Sequence, residues 1–118
     1  MTGPLTGPRV LTAQSPTARF ESRSVVEGEP NATVSVLLDQ GAEGNSYFAA
    51  LWACDPCVLR FAPERDAALV VLQGRARIAF DDGRSLDLGP GDAYAVPRGT
   101  WATWHITEPF KEFVTYAA

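Results

Sequence analysis

The two cysteines of this chain are the first residues whose spacing suggests chemistry. Cys54 and Cys57 form a C-x2-C pair, the spacing of half a zinc site or of a redox pair. A zinc site needs two further ligands, and the sequence has no second pair and only one histidine. A thioredoxin-type pair belongs to a βαβ unit, which the pattern does not predict. The pair is therefore interpreted as structural, although Cys54 on an inward strand could still serve a pocket as nucleophile or acid.

The single histidine, His105, is the residue type best suited to acid–base work near neutral pH. It lies in a strand-like run in which successive side chains project to opposite faces. Ala102, Trp104 and Ile106 share one apolar face, and His105 falls on the other. We therefore expect His105 on the surface or at a subunit interface. One histidine also excludes a multi-histidine metal cluster within one chain.

The remaining candidates are aromatic and polar residues that could line a small-molecule pocket. Trp52, Tyr94 and Trp104 would supply rings, because ligand pockets are mainly apolar with a few polar groups. The same rings could simply fill a small barrel, and both interpretations stay open. Arg60 could offer a charge to an anionic or carbonyl ligand, or lie solvated at a strand edge. The catalytic candidates are Cys54, Tyr94, Arg60 and Tyr47, and the predicted substrate-binding residues are Trp52, Cys54, Arg60, Tyr94, Ala102 and Trp104.

Short β-rich runs separated by turn signals must position these residues. No window combines a sustained helical period with caps. Asp55-Pro56 favours a turn, and Asp81-Asp82-Gly83 favours a hairpin. Many short strands with frequent turns predict an all-β barrel or sandwich. The predicted strands are 18–26, 33–38, 47–54, 58–61, 68–72, 75–80, 85–88, 93–96, 101–107 and 113–116.

Length, net charge and the pattern of apolar residues limit the number of domains, the possible partners and the expected cellular location. A chain of 118 residues suits one domain. A net charge of -4, from 14 acidic and 10 basic residues, argues against a nucleic-acid partner. No apolar run approaches the roughly 20 residues of a membrane helix, and no signal peptide is evident. We therefore expect a cytoplasmic protein without a membrane partner. Residues 1–17, rich in Thr, Pro and Gly, are predicted to form a flexible arm before a domain at 18–118.

Three segments of the chain together carry a family resemblance. Leu51–Cys57 (LWACDPC) is similar to a Trp-x-Cys-x-Pro-Gly segment, and Leu69–Ile78 to a strand–Glu-Gly–strand hairpin in which Gln73 replaces Glu. Gly89–Trp104 followed by Ile106–Lys111 resembles a Gly-Pro-Gly-Asp…Pro-x-Gly…Trp…Glu-Pro-x-Lys signature. This combination resembles the cupin superfamily, and within it the small cupins related to ureidoglycine aminohydrolase and to the ethanolamine-utilisation cupin. The resemblance implies a single-domain, all-β, cupin-type jelly-roll β-barrel with a flexible N-terminal arm.

The positions at which cupins carry metal ligands hold other residue types here. The second cupin motif, Gly-x5-Pro-x-Gly-x2-His, has its structural residues in place but not its histidine. The first motif, His-x-His-x3–4-Glu-x6-Gly, can be anchored on Gly74. A divalent ion needs three or four N, O or S ligands, so we predict no metal and no other cofactor at this site. The ligand positions fall on Ala102 for the second motif, on Ala67 for the glutamate of the first, and on Phe61 and Pro63, or Arg60 and Ala62, for its histidines.

Three functions are compatible with such a barrel. The first is a metal-free enzyme acting on a small organic metabolite, of isomerase, cyclase, dehydratase or lyase type. The second is a non-catalytic cupin that binds a small molecule or serves as an accessory protein. The third is a metal-dependent amidohydrolase-like cupin with relocated ligands. The resemblance also implies a homodimer formed by exchange of N-terminal strands, for which residues 1–17 and the face of Trp101 are the candidate surfaces.

Overall fold

The computed structural model describes residues 18–19, 25–40 and 47–117, and the regular structure of these residues is β-strand throughout. No helix in this part of the chain is long and apolar enough to cross a membrane. The predicted arm at residues 1–17 lies outside the described residues, and the homodimer stays a prediction. The strands are β1 (Ala18–Arg19), β2 (Val25–Gly28), β3 (Thr33–Gln40), β4 (Tyr47–Cys54), β5 (Cys57–Phe61), β6 (Ala67–Gln73), β7 (Ala76–Phe80), β8 (Ser85–Leu88), β9 (Ala93–Val96), β10 (Ala102–Ile106) and β11 (Phe110–Tyr116).

The strands form two antiparallel sheets, which confirms the predicted jelly roll. One sheet has the order β1-β3-β4-β11-β6-β9 and the other the order β2-β5-β10-β7-β8. The chain changes sheet between β4 and β5 and again between β5 and β6, so neighbours in sequence lie in opposite layers. Such a double sheet has its core between the two inner faces.

Strand β10 shows how the residue pattern builds this core. It pairs with β5 on one side and β7 on the other, so it is central in its sheet. Ala102, Trp104 and Ile106 are buried, whereas His105 is exposed. The two faces predicted from the alternation are thus confirmed, and His105 points away from the interior.

Strand β11 begins earlier than the sequence predicted. The Glu108-Pro109 turn suggested a strand only from Phe113, but the ladder begins at Phe110, directly after the proline. Proline lacks the N–H donor that a central strand needs, whereas the next residue can pair at once. Strand β11 lies between β4 and β6, and its longer span brings Glu112 into the centre of the six-stranded sheet.

The turn between β6 and β7 depends on a glycine. Gly74 has φ +87°, a conformation that residues with a side chain rarely adopt. A Cβ at this position would overlap the backbone carbonyl of Pro109. The close approach holds the β6–β7 hairpin against the segment that leads into β11.

Candidate functional site

A cavity of about 120 Å³ lies between the two sheets. Both layers contribute to its wall, and nearly all of the contributing side chains are apolar. Its apolar composition with one polar group is that of a small-molecule site, and its volume approaches that of the roughly 150 Å³ apolar cavity that binds benzene. The lining residues are Val34, Trp52, Phe61, Pro63, Ala67, Leu69, Val96, Trp104, Glu112, Val114 and Tyr116.

The cavity adjoins the positions at which the sequence resemblance placed metal ligands. Phe61, Pro63 and Ala67, three of the positions at which ligands were expected, line it directly. Ala102, the fourth, is fully buried and lies opposite Phe61 in the pairing of β10 with β5. Apolar side chains therefore stand at these positions of the cavity wall.

Glu112 is the residue that sequence reasoning missed. Its side chain belongs to the cavity wall, and the residue is only 3% exposed. It lies on β11 between Trp52 of β4 and Val71 of β6. The sequence signal that could have revealed it is the alternation of Phe110, Glu112 and Val114. This alternation places a carboxyl group on an otherwise apolar inward face.

The Glu112 carboxyl is held by a tyrosine. The Tyr94 hydroxyl donates a hydrogen bond to Oε1 of Glu112 at 2.6 Å. Burial raises the pKa of Glu112 to about 7, and the hydrogen bond from Tyr94 acts in the opposite direction. Burial and the nearby carboxyl raise the pKa values of Tyr94 and Tyr116. Near neutral pH, Glu112 can therefore take or give a proton while Tyr94 remains a donor.

Several aromatic rings line or adjoin the cavity to which this carboxyl belongs. The rings of Phe61 and Trp104 stack with centroids 5.0 Å apart, and the Tyr94 ring lies 6.1 Å from that of Trp104. The indole N–H of Trp104 is buried and has no hydrogen-bond partner among the described residues. Trp52 and Trp104, two predicted pocket residues, line the cavity, and Tyr94, a third, contacts two residues of its wall, Glu112 and Trp104.

Cys54 and Cys57 are buried but do not line this cavity. Burial, followed by the neighbouring Cys57, raises the pKa of the Cys54 thiol. Burial also raises the pKa of Cys57. Both thiols are therefore protonated at neutral pH, and neither has the thiolate character of a nucleophile.

Arg60 lies outside the barrel, away from the cavity. Its guanidinium binds the Asp81 carboxylate through two contacts of 2.8 and 2.7 Å and lies 5.2 Å from the ring centre of Trp101. Trp101 itself is 52% exposed. For Tyr47, the remaining candidate, the structure describes the backbone but not the side chain.

The residues around the cavity do not suit a metal ion. Glu112 supplies a carboxylate and the tyrosines supply only protonated phenols. In the described part of the chain, no three His, Cys, Asp or Glu side chains converge on one point. A divalent ion would lack the three or four ligands that it requires.

We expect protein purified without chelator to contain far less than one transition-metal ion per chain. Metal analysis by plasma mass spectrometry would check this, and the thermal midpoint should not rise when zinc, manganese or iron is added. A stoichiometric metal that survives dialysis would contradict the prediction.

Comparisons with known proteins agree with the fold. Residues 40–113 match the model of the EutQ-like cupin domain family. A putative ethanolamine utilisation protein Q from Salmonella typhimurium LT2 is similar at 16% identity, with 73% of this chain and 68% of that chain covered and a TM-score of 0.63. The EutQ protein of Clostridium difficile is similar at 20% identity, with coverages of 86% and 82% and a TM-score of 0.59.

A third solved structure is larger. A DUF861 family protein of unknown function from Pseudomonas syringae shares 17% identity over 91% of this chain but only 45% of its own, with a TM-score of 0.73. At these identities the structural likeness shows the fold alone. No curated protein has a sequence that matches this chain.

Proposed function

This chain belongs to the EutQ-like cupin domain family, and from that premise we propose that it is a metal-free cupin whose cavity binds a small organic metabolite and moves a proton on it through Glu112. The reaction would be of the isomerase, cyclase, dehydratase or lyase type. The family supports many activities, so the proposal rests on the cavity rather than on membership.

The observation that carries the proposal is a buried carboxyl in an otherwise apolar cavity. Glu112 lines the wall, is 3% exposed, and has a pKa of about 7. Burying an ionisable group destabilises a fold unless the group is paired, so such groups concentrate at functional sites. A pKa near the operating pH is also the best value for a general acid–base group.

The chemistry follows from these properties. The Glu112 carboxylate would take a proton from a carbon next to a carbonyl or imine, and the C–H electron pair would move into that group. The resulting carboxylic acid would return the proton to another atom of the same molecule. Tyr94 acts as a positioning residue, because its 2.6 Å hydrogen bond fixes one carboxyl oxygen. The apolar wall would exclude water from the intermediate.

The test is proton exchange with solvent. Protein would be incubated in D2O with a panel of small carbonyl and amino compounds, and loss of C–H signals would be followed by proton NMR. We expect deuterium in at least one compound with the natural protein and none with Glu112→Gln. Glu108→Gln is the matched control, because Glu108 is 54% exposed and lies outside the cavity.

A non-catalytic binding protein is the second candidate. It is favoured by the wall itself, in which Glu112 is the one carboxyl among the described lining residues. A reaction that needs two carboxyl groups would therefore need a second proton donor from the substrate or from Tyr116. Binding of a panel compound without any exchange would support this second function and overturn catalysis.

Replacing Tyr94 by phenylalanine is expected to raise the pKa of Glu112 above its present value of about 7. The hydrogen bond from Tyr94 lowers that pKa, and its removal leaves desolvation unopposed. Carbon-13 NMR of the Glu112 carboxyl would measure both titrations, and any exchange activity should shift to higher pH with it. An unchanged or lower pKa in Tyr94→Phe would contradict the role assigned to this hydrogen bond.

A further inference from the structure

The described cavity wall has an acidic side chain but no basic one. Glu112 contributes a carboxyl, and no lysine, arginine or histidine occurs among the described residues that line the space. The rings of Trp52, Phe61, Trp104 and Tyr116 form much of the remaining wall. Aromatic rings carry negative charge on their faces, so they attract cations rather than anions.

We propose that the ligand of this cavity is a small organic cation, an alkylated ammonium, whose charge is held between the Glu112 carboxylate and the aromatic rings of the wall. This inference rests on the proposed function, because it names the class of metabolite that the same cavity takes. A cation supplies the counter-charge that the buried carboxylate lacks among the described lining residues, and its methyl groups suit the apolar surface.

The titratable groups near Glu112 also favour a positively charged ligand. Tyr94 is on β9, Tyr116 on β11 itself, and Cys54 at the end of β4, and burial raises the pKa of each. All three are neutral near pH 7 and bring no positive charge. An anionic ligand would therefore meet a carboxylate without any cation to offset the repulsion.

The cavity volume limits the size of the cation. An apolar cavity of about 150 Å³ accommodates benzene, and the cavity here is about 120 Å³. The ligand should therefore contain about five or six non-hydrogen atoms, as a tetramethylammonium ion does. The competing occupant is a neutral hydrogen-bond acceptor, which would suit the indole N–H of Trp104, unpartnered among the described residues.

Three probes of similar size and different charge separate these possibilities. Tetramethylammonium is cationic at every pH, tert-butanol is neutral and isobutyrate is anionic. Binding would be measured at pH 8 by isothermal titration calorimetry. We expect tetramethylammonium to bind at least about tenfold more tightly than tert-butanol, because cation–π and charge contacts strengthen when desolvated. Isobutyrate should not bind.

The pH dependence identifies the group responsible. Because the pKa of Glu112 is about 7, affinity for tetramethylammonium should fall as pH falls through 7, whereas affinity for tert-butanol should stay level. Glu112→Gln should remove the cation preference and its pH dependence but keep tert-butanol binding. Glu108→Gln, at an exposed site, should behave as the natural protein.

The results that would refute the cationic ligand, or the role of Glu112 in binding it, are as follows. Equal or tighter binding of tert-butanol at pH 8, or binding of isobutyrate, would refute the cationic ligand and leave the cavity as a ligand site. A cation preference that survives in Glu112→Gln would refute the role of this carboxylate. If none of the three probes binds to the folded natural protein, this inference is wrong, whereas the proposed function is decided separately by the deuterium-exchange test.

Discussion

Replacing Glu112 by glutamine is expected to stabilise the protein by about 3 kcal/mol at pH 8 and to leave its stability nearly unchanged at pH 4. The pKa of Glu112 rises from 4.5 to about 7 on folding because the carboxyl is buried. The folded state therefore holds this proton more tightly than the unfolded state does. The natural protein should lose stability as pH rises from about 4.5 to about 7, and each pKa unit corresponds to about 1.4 kcal/mol. Glutamine is neutral throughout, so the variant should not show this loss.

Urea unfolding of both proteins at intervals between pH 4 and pH 8 would measure the difference. Comparing the variant with the natural protein cancels the titration of the other groups. Glu108→Gln, on the exposed connection before β11, should show no such pH-dependent gain. Equal stability of the Glu112→Gln variant and the natural protein at pH 8 would contradict the prediction. It would show that contacts in the folded state offset the cost of burying the carboxylate. A residue that weakens its own fold in this way is the kind that function retains.

Replacing Gly74 by alanine is expected to cost at least about 4 kcal/mol or to prevent folding. The added Cβ would overlap the Pro109 carbonyl. That carbonyl belongs to the backbone and the Cβ is fixed to the backbone of residue 74, so neither can rotate aside. The φ of +87° adds conformational strain. Because the same contact places the entry to β11, any folded protein should also lose binding in the cavity.

Gly83→Ala is the matched control for this change. Gly83 has a similar φ of +94°, but no described atom lies within 4 Å of the place that an added Cβ would occupy. It should therefore show the conformational cost alone, about 1–2 kcal/mol. Circular dichroism with urea unfolding would compare the two variants. Similar losses at both positions would mean that the Pro109 contact has no energetic consequence.

The fold could be predicted because its signals are local. The turn at Asp81-Asp82-Gly83 and the alternation of Ala102, Trp104 and Ile106 each involve a few neighbouring residues. Turn chemistry and strand period act at that range, and the structure confirms the two faces that they predicted.

The site could be predicted only in part. The inward face of Trp104 was predicted from the strand alternation and is confirmed, whereas the absence of a metal, predicted from the motif spacing, stays a prediction. Glu112 was not found, because Pro109 shortened the predicted strand and removed it from the inward face. Arg60 was placed beside the ligand positions by sequence, but the structure pairs it with Asp81 on the outside. The Arg60–Asp81 pair could not be predicted from neighbouring residues, because it depends on how distant strands meet.

The central place of β11 has a consequence for protein synthesis. Strand β11 is the only described element that joins β4 to β6 within the six-stranded sheet. Strand β11 leaves the ribosome after β4 and β6. Until it emerges, β4 and β6 each have one edge without its hydrogen-bonding partner. Exposed strand edges recruit other chains, and pairing over long separations is slow. The nascent chain should therefore be most prone to aggregation just before the segment that carries Glu112 emerges, and the segment that completes the cavity also ends that vulnerable interval.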